Sequence, residues 1–399
     1  MREDWTECCF EDLLDYEQPT KYIVESTNYN DSFKTPVLTA GKSFIKGYTN
    51  ETEGIFDNLP TIIFDDFTTA SQFVNFKFKV KSSAMKILVP TSKLVNMNFA
   101  YYAMQVNQIR SDTHKRYWIS VYAKKKFLLP SAVEQDSIVS KIEELISDLD
   151  KGIADLKKAQ GQLVIFRQGV LKKAFDGDFT KNWRDEEGIK LEDWEESIFE
   201  DLLNYEQPTK YIVESTNYND SFKTPVLTAG KSFIKGYTNE TEGIFDNLPT
   251  IIFDDFTTAT QFVDFKFKVK SSAMKILNPT SETVNMKFMY YAIQINKIRH
   301  DTHKRYWISI YSKMKILMPS TQEQHQIIQE IESRLSVCDK VEQSIAESLE
   351  KAKALRQSIL KKAFEGTLLL AEEIAKCKAA KDYEPASVLL EKIKAEKKK

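Results

Sequence analysis

The chain has 399 residues, 42% of them hydrophobic and 29% charged, with only 12 glycines and 11 prolines; this excludes extensive disorder and collagen-like repeats and leaves room for two or more domains with separate cores. No apolar run approaches the ~18–20 residues needed to cross a bilayer, and Met1–Glu7 is acidic where a signal peptide would be basic and then apolar, so no membrane contact and a cytoplasmic location are expected. The net charge of −2 hides a segregation: residues 16–127 hold 15 Lys and Arg against 9 Asp and Glu, whereas 131–193 hold 10 against 14.

An internal duplication at a constant offset of 189 residues organises the chain. Trp5 maps to Trp194, Pro36 to Pro225, Trp118 to Trp307, Pro130 to Pro319 and Ala174-Phe175 to Ala363-Phe364, with no gap. Between Tyr16–Leu88 and its copy Tyr205–Leu277 only two of 73 positions differ, Ser71 against Thr260 and Asn75 against Asp264. Beyond Pro130 only a hydrophobic pattern and scattered identities persist. Two nearly identical globular copies therefore alternate with two diverged connectors.

Along the first copy, Lys21–Val24, Thr61–Phe64, Phe73–Val80, Met85–Leu88 and Tyr117–Tyr122 are β-prone runs. In the third, Phe76, Phe78 and Val80 alternate with Lys77, Lys79 and Lys81, which predicts a half-buried strand with a wet lysine face. Met97–Arg110 carries Phe99, Tyr102, Ala103, Val106 and Ile109 at helical spacing. Each copy reads as an α+β domain. The connectors carry heptad seams: Ile138, Ile142, Leu145, Leu149, Gly152, Leu156, Ala159, Leu163, Phe166 and Val170, then Ile327, Ile331, Arg334, Cys338, Val341, Ile345, Ser348, Ala352, Leu355 and Ile359. Each predicts a helix of about 40 residues, roughly 60 Å long, which cannot bury its stripe alone. The two helices should pack antiparallel across a two-fold axis and hold the domains at opposite ends. The expected segments are 1–130, first domain; 131–178, first helix; 179–319, linker and second domain; 320–367, second helix; and 368–399, a helical tail.

Candidate chemistry is confined to the globular copies. The loop from Lys34 to Tyr48, with Lys42, Lys46, Gly41 and Gly47, places cations and backbone amides together and suits approach to phosphates or base edges; its copy carries Lys223, Lys231, Lys235 and Tyr237. An ordinary hairpin surface is the alternative. Lys115 and Arg116, and Lys304 and Arg305, lie between a histidine (His114, His303) and an aromatic pair ending in Trp118 or Trp307; Arg reads guanine bidentately, Lys neutralises phosphate, and the Trp can anchor the segment. The paired carboxylates Asp65-Asp66 and Asp254-Asp255 lack the lysine partner of a nuclease site and fit a strand end turning into a loop. Asp57-Asn58-Leu59-Pro60 and Thr39–Ser43 fall short of a methyltransferase loop and a phosphate-binding loop respectively. Cys8, Cys9, Cys338 and Cys377 have neither metal-ligand spacing nor disulfide density. No catalytic residue, metal or cofactor is assigned to this chain.

Pro130-Ser-Ala-Val-Glu-Gln135 and Pro319-Ser-Thr-Gln-Glu-Gln324 at the helix entries resemble the corresponding motif of type I restriction-modification specificity subunits. So do the exits Arg167–Gly177, with Phe179–Arg184, and Arg356–Gly366. The resemblance runs from Trp5 to about Leu370. It implies two α/β target-recognition domains separated by an antiparallel coiled coil in a pseudo-two-fold arrangement. It further implies binding of double-stranded DNA, two methyltransferase subunits and restriction subunits, with S-adenosylmethionine, ATP and Mg used by those partners. Members of the family usually pair dissimilar domains. Near-identical copies instead predict an interrupted palindrome as target. Two other readings remain: a coiled-coil scaffold whose domains bind a protein, and an autonomous nuclease built on the Asp pairs.

Overall fold

The computed structural model describes residues 2–41, 43–109, 116–230, 232–298 and 305–398. The chain divides into two compact units, 1–156 with 347–399, and 157–346. We label the helices α1 (Met97–Val106), α2 (Ala132–Phe175), α3 (Lys181–Glu187), α4 (Met286–Ile295), α5 (Thr321–Phe364), α6 (Ala371–Ala379) and α7 (Ala386–Lys397). Each long helix contributes one part to each unit.

In unit 1 a four-stranded antiparallel sheet runs in the order Leu14–Glu17, Met85–Pro90, Thr61–Asp65, Ser71–Val74. Ile62 pairs with Leu88 and Ile63 with Ile87. Because successive side chains point to opposite faces, Ile62, Phe64 and Leu88 enter one core and Ile63 and Ile87 another. This two-sided burial explains why Thr61–Phe64 is apolar without alternation. One face packs on α1, Trp118, Tyr122 and the helix pair. The other packs on Phe56, Phe78 and a three-stranded sheet ordered Ile45–Thr49, Thr35–Leu38, Lys79–Val80, in which the last pair is parallel. Unit 2 repeats every one of these elements at the same offset.

Two short strands, Thr6–Cys9 and Lys126–Leu129, pair antiparallel and deliver the chain into α2. The entry motif now has a mechanical reading. Ser131 Oγ accepts from the Glu134 amide at 3.3 Å, and Gln135 Nε2 donates back to the Pro130 carbonyl at 2.9 Å. Glu134, freed from capping, accepts from Trp5 Nε1 at 3.1 Å and pairs with Arg2 at 2.9 Å. In unit 2 Glu323 accepts from Trp194 Nε1 at 2.8 Å and from Arg184 at 2.6 Å, and Arg184 also donates to the Gly177 carbonyl at 2.7 Å. The exit motif ends α2 with a left-handed glycine, Gly177 (φ +77°), the Asp178 amide reaching the Lys173 carbonyl at 3.0 Å. Gly366 does the same for α5. A Cβ at Gly177 would lie 3.0 Å from Arg184, and one at Gly366 would lie 2.4 Å from Arg2. Arg2 and Arg184 thus occupy equivalent places although their sequence positions are not related by the repeat.

Within each unit the long helices pack antiparallel. In unit 1 Ile138, Ile142 and Leu145 of α2 share a core with Ile359, Leu360 and Ala363 of α5; in unit 2 Leu171 and Ala174 meet Ile327, Ile328 and Ile331. Asp150–Arg356 and Arg167–Asp339 pairs flank these contacts. Of the predicted seam, Ile142, Ile331, Ile345 and Ile359 are buried and Leu145, Leu149, Leu156 and Leu163 half-buried. Val341 and Leu355 depart from it, being 41% and 50% exposed, and Phe166 is exposed as well. The apolar contact is concentrated where the domains add side chains to the helix pair, and thins away from them.

Three strand expectations are corrected. Lys21 and Tyr22 belong to a 3-10 turn over Pro19–Tyr22, started by a proline that has no amide to give a sheet. Phe73–Val80 is not one strand: Ser71–Val74 and Lys79–Val80 lie in different sheets. Tyr117–Tyr122 contains a helical turn, π-type over Trp118–Tyr122, and its copy forms Tyr306–Ser309. The four-residue spacing brings Trp118 and Tyr122 onto Phe64 together, at 5.4 and 5.0 Å between ring centroids.

The Arg184–Glu323 pair is buried on both sides. Glu323→Ala, which leaves Arg184 charged and unpaired, should lower stability by about 3–5 kcal/mol, and adding Arg184→Met should recover part of the loss. Urea unfolding of the single and double variants checks this.

Candidate nucleic-acid interface

The hairpin Thr35–Leu38 to Ile45–Thr49 carries the first group of candidate residues. Its turn is closed by the Thr39 amide on the Phe44 carbonyl and by Thr39 Oγ1 on the Ser43 carbonyl, both 2.9 Å. Gly47 lies against the Tyr29 ring so closely that an added Cβ would sit 2.6 Å from it. Glycine is required there by the close approach. Two-residue periodicity puts Lys46 and Tyr48 on one face of the strand. Lys34 and Lys46 are exposed, Tyr48 is half-buried, and neither lysine forms an ion pair with a described residue. Lys223, Lys235 and Tyr237 repeat the arrangement. Lys42 and Lys231 lie outside the described residues.

Arg116 is exposed at the start of a separate segment whose anchorage is buried. The Tyr117 amide donates to the Asp66 carbonyl at 2.9 Å and the Trp118 amide to Asp66 Oδ1 at 2.8 Å. Trp118 itself fills the core. Arg305 stands on the same foundation, with Asp255 receiving the Tyr306 and Trp307 amides at 2.9 and 2.8 Å. Lys115 and Lys304, with His114 and His303, lie outside the described residues. The structure therefore brings Lys34, Lys46 and Tyr48 together on one hairpin and carries Arg116 on another element.

The acidic pair is used by the fold. Asp65 Oδ1 accepts from the Phe67 and Thr68 amides at 2.9 Å each, closing the turn after its strand. Asp66 is buried, with Lys86 Nζ at 3.8 Å; that lysine lies 4.8 Å from the centre of the Tyr16 ring. Burial holds the Lys86 ammonium below its ordinary range, with Asp66 opposing and Arg116 reinforcing that displacement. The sequence offered no sign of this lysine, because the strand pattern alone places it among apolar neighbours.

The lysine stripe is split. Lys77 is exposed beside Asp57, whereas Lys79 is buried, donating to the Glu53 carbonyl at 2.7 Å and pairing with Glu51 at 2.8 Å. Glu51 in turn accepts from the Glu25 and Ser26 amides. Lys79 is thus a latch under two loops and not part of a wet face.

No family model matches the chain. It is 50% identical over 124 residues to the EcoR124I/EcoR124II type I restriction enzyme specificity subunit of Escherichia coli, covering 30% of this chain and 31% of that protein. With the EcoDI specificity subunit of E. coli it shares 24% identity over 351 residues, covering 76% and 77%. The chain is related to type I restriction specificity subunits. A 24% identical relative, the EcoBI subunit of E. coli, is covered over 64% of its length, so this chain spans about a third of the EcoR124I/EcoR124II subunit and about two thirds of the EcoBI subunit. Among solved structures, a chain from a study of assembly and conformational transition in the type I restriction-modification system superposes with a TM-score of 0.66 at 13% identity, over 92% of this chain and 99% of that one. The fold of that chain, mixed α/β domains with long paired helices, is therefore shared by this one.

Removing the Asp66 carboxylate leaves a buried lysine without a counter-charge. Asp66→Ala should destabilise the chain by about 3–5 kcal/mol, against ~1 kcal/mol for Asp65→Ala, whose turn is exposed to water. Chemical unfolding of the two variants distinguishes the roles.

Proposed function

We propose that this chain is the DNA-recognition subunit of a type I restriction-modification complex and makes or breaks no bond itself. The observation that carries the reading is the repetition, within a chain related to specificity subunits, of one hairpin bearing Lys34, Lys46 and Tyr48 and one anchored Arg116. Lysines without acidic partners on a hairpin can neutralise phosphates, and an arginine held by a buried foundation can address a base edge. Since 71 of the 73 positions from Tyr16 to Leu88 are the same in the second copy, both domains read the same half-site. The target is then an interrupted palindrome.

Methylation and cleavage fall to partners, two methyltransferase subunits and restriction subunits, which bring S-adenosylmethionine, ATP and Mg. The long helices offer a surface for them. In unit 2 Val164, Ile165 and Phe166 of α2 and Val337 and Val341 of α5 are exposed, Ile165 to 74%. Apolar side chains so open to water mark a protein contact. No helix among the described residues is long and apolar enough to cross a membrane; we place the complex in the cytoplasm, with its DNA.

Selection from a randomised duplex pool, with the chain co-purified with its methyltransferase, tests the reading. Enrichment of one short motif in two inverted copies at fixed spacing is the expected result; two unrelated half-sites would refute the symmetry, and no enrichment would leave the protein-binding scaffold as the better account. Lys46→Ala with Lys235→Ala should weaken binding to all sequences alike and reduce the magnitude of the log K against log[salt] slope by about 2. Binding titrations between about 50 and 200 mM salt measure it.

A further inference from the structure

The tail beyond Gly366 parallels the interdomain linker up to a point. Helix α6 follows Gly366 as α3 follows Gly177, and Tyr383 falls 189 residues after Trp194. Helix α7 has no counterpart. Its Ala386, Leu389, Leu390 and Ile393 form an apolar stripe at i, i+3, i+4 and i+7, all buried. They lie on the strand Thr6–Cys9 and the one-turn helix Phe10–Leu13 of unit 1. Lys394 pairs with Asp12 at 3.6 Å, Lys397 donates to the Glu11 carbonyl, and Ser92 bonds Glu396.

The repeat supplies this landing site twice. Glu11, Asp12, Leu13 and Ser92 correspond to Glu200, Asp201, Leu202 and Ser281. Leu13 and Ser92 are buried under α7, while Leu202 is half-buried and Asp201 and Ser281 are exposed, as is Leu317 at 46%. At one diverged position the change follows the cover: the buried Cys8 becomes the half-exposed Ser197. Glu195, Glu200 and Asp201 add an exposed acidic border, beside Glu196, which pairs with Lys315 at 2.7 Å.

We propose that this open face of unit 2 is a docking site for an amphipathic helix of the α7 type, apolar at i, i+3, i+4 and i+7 and basic in its last turn, supplied by another polypeptide. The acidic border matches that basic turn, and unit 1 shows the docked form with its own helix in place. The site is separate from the hairpin that the DNA-reading proposal uses, so either can fail alone. Two nearly identical domains thereby become unequal towards protein partners: one is capped by its own tail, the other open.

A synthetic peptide of residues 384–399 is the probe. The intact chain should bind one equivalent, at unit 2, and a chain ending at Tyr383 should bind two. Leu202→Asp in the intact chain should weaken binding about tenfold or more by placing a charge in the contact. An intact chain that binds none while the shortened chain binds one overturns the proposal. Should the peptide bind neither measurably, disulfide trapping decides: a chain with Ser281→Cys should capture a peptide with Glu396→Cys faster than a scrambled peptide with the same cysteine, and equal rates overturn the proposal.

Discussion

Everything in each unit hangs on one buried carboxylate at the start of a long helix. Glu134 and Glu323 occupy the third helical position behind a capping serine, where a glutamate would ordinarily turn back to its own helix end. Each instead receives an indole N–H from the domain and a guanidinium. A charge in that place must be paired or it drives the structure apart, so the domain, the helix entry and the segment carrying the arginine form together or not at all. In unit 2 the arginine also binds the carbonyl of the glycine that ends α2, which ties the exit of one long helix to the entry of the other.

The same requirement gives the chain ends a task. Unit 2 obtains its arginine from Arg184, in the run between the chain's two globular copies. In unit 1 the same place is taken by Arg2, with Asp4 bridging to Lys378 of the tail at 2.8 Å. Both guanidiniums end 5.6 Å from the centre of their tryptophan ring. Two different stretches of chain satisfy one charge. The outcome is set by electrostatic need, not by repeat register.

The exposed cations owe their placement to similarly buried supports. Lys79 under the Glu51 loop and Lys86 against Asp66 are held inside, and the segment bearing Arg116 is fastened to Asp66. Charges that look interchangeable in the sequence divide into those that hold loops in place and those that face water. The former give the latter a rigid base, which lowers the entropy lost when a ligand is engaged.

The sequence by itself determined that there are two like domains, since a gapless 189-residue repeat with 71 of 73 identical positions must fold twice the same way. It also determined the two long helices and the central strands, whose heptad and uninterrupted apolar patterns depend only on local periodicity. Tertiary structure alone decided that Lys79 is inside and Lys77 outside, that Tyr117–Tyr122 turns as a helix, and that Val341 and Leu355 lie open at seam positions. It decided as well that Arg2 stands in for Arg184 and that α7 covers one of two duplicate surfaces. Periodicity reports which way a side chain points relative to its own backbone. What lies on that side is settled by elements distant in sequence.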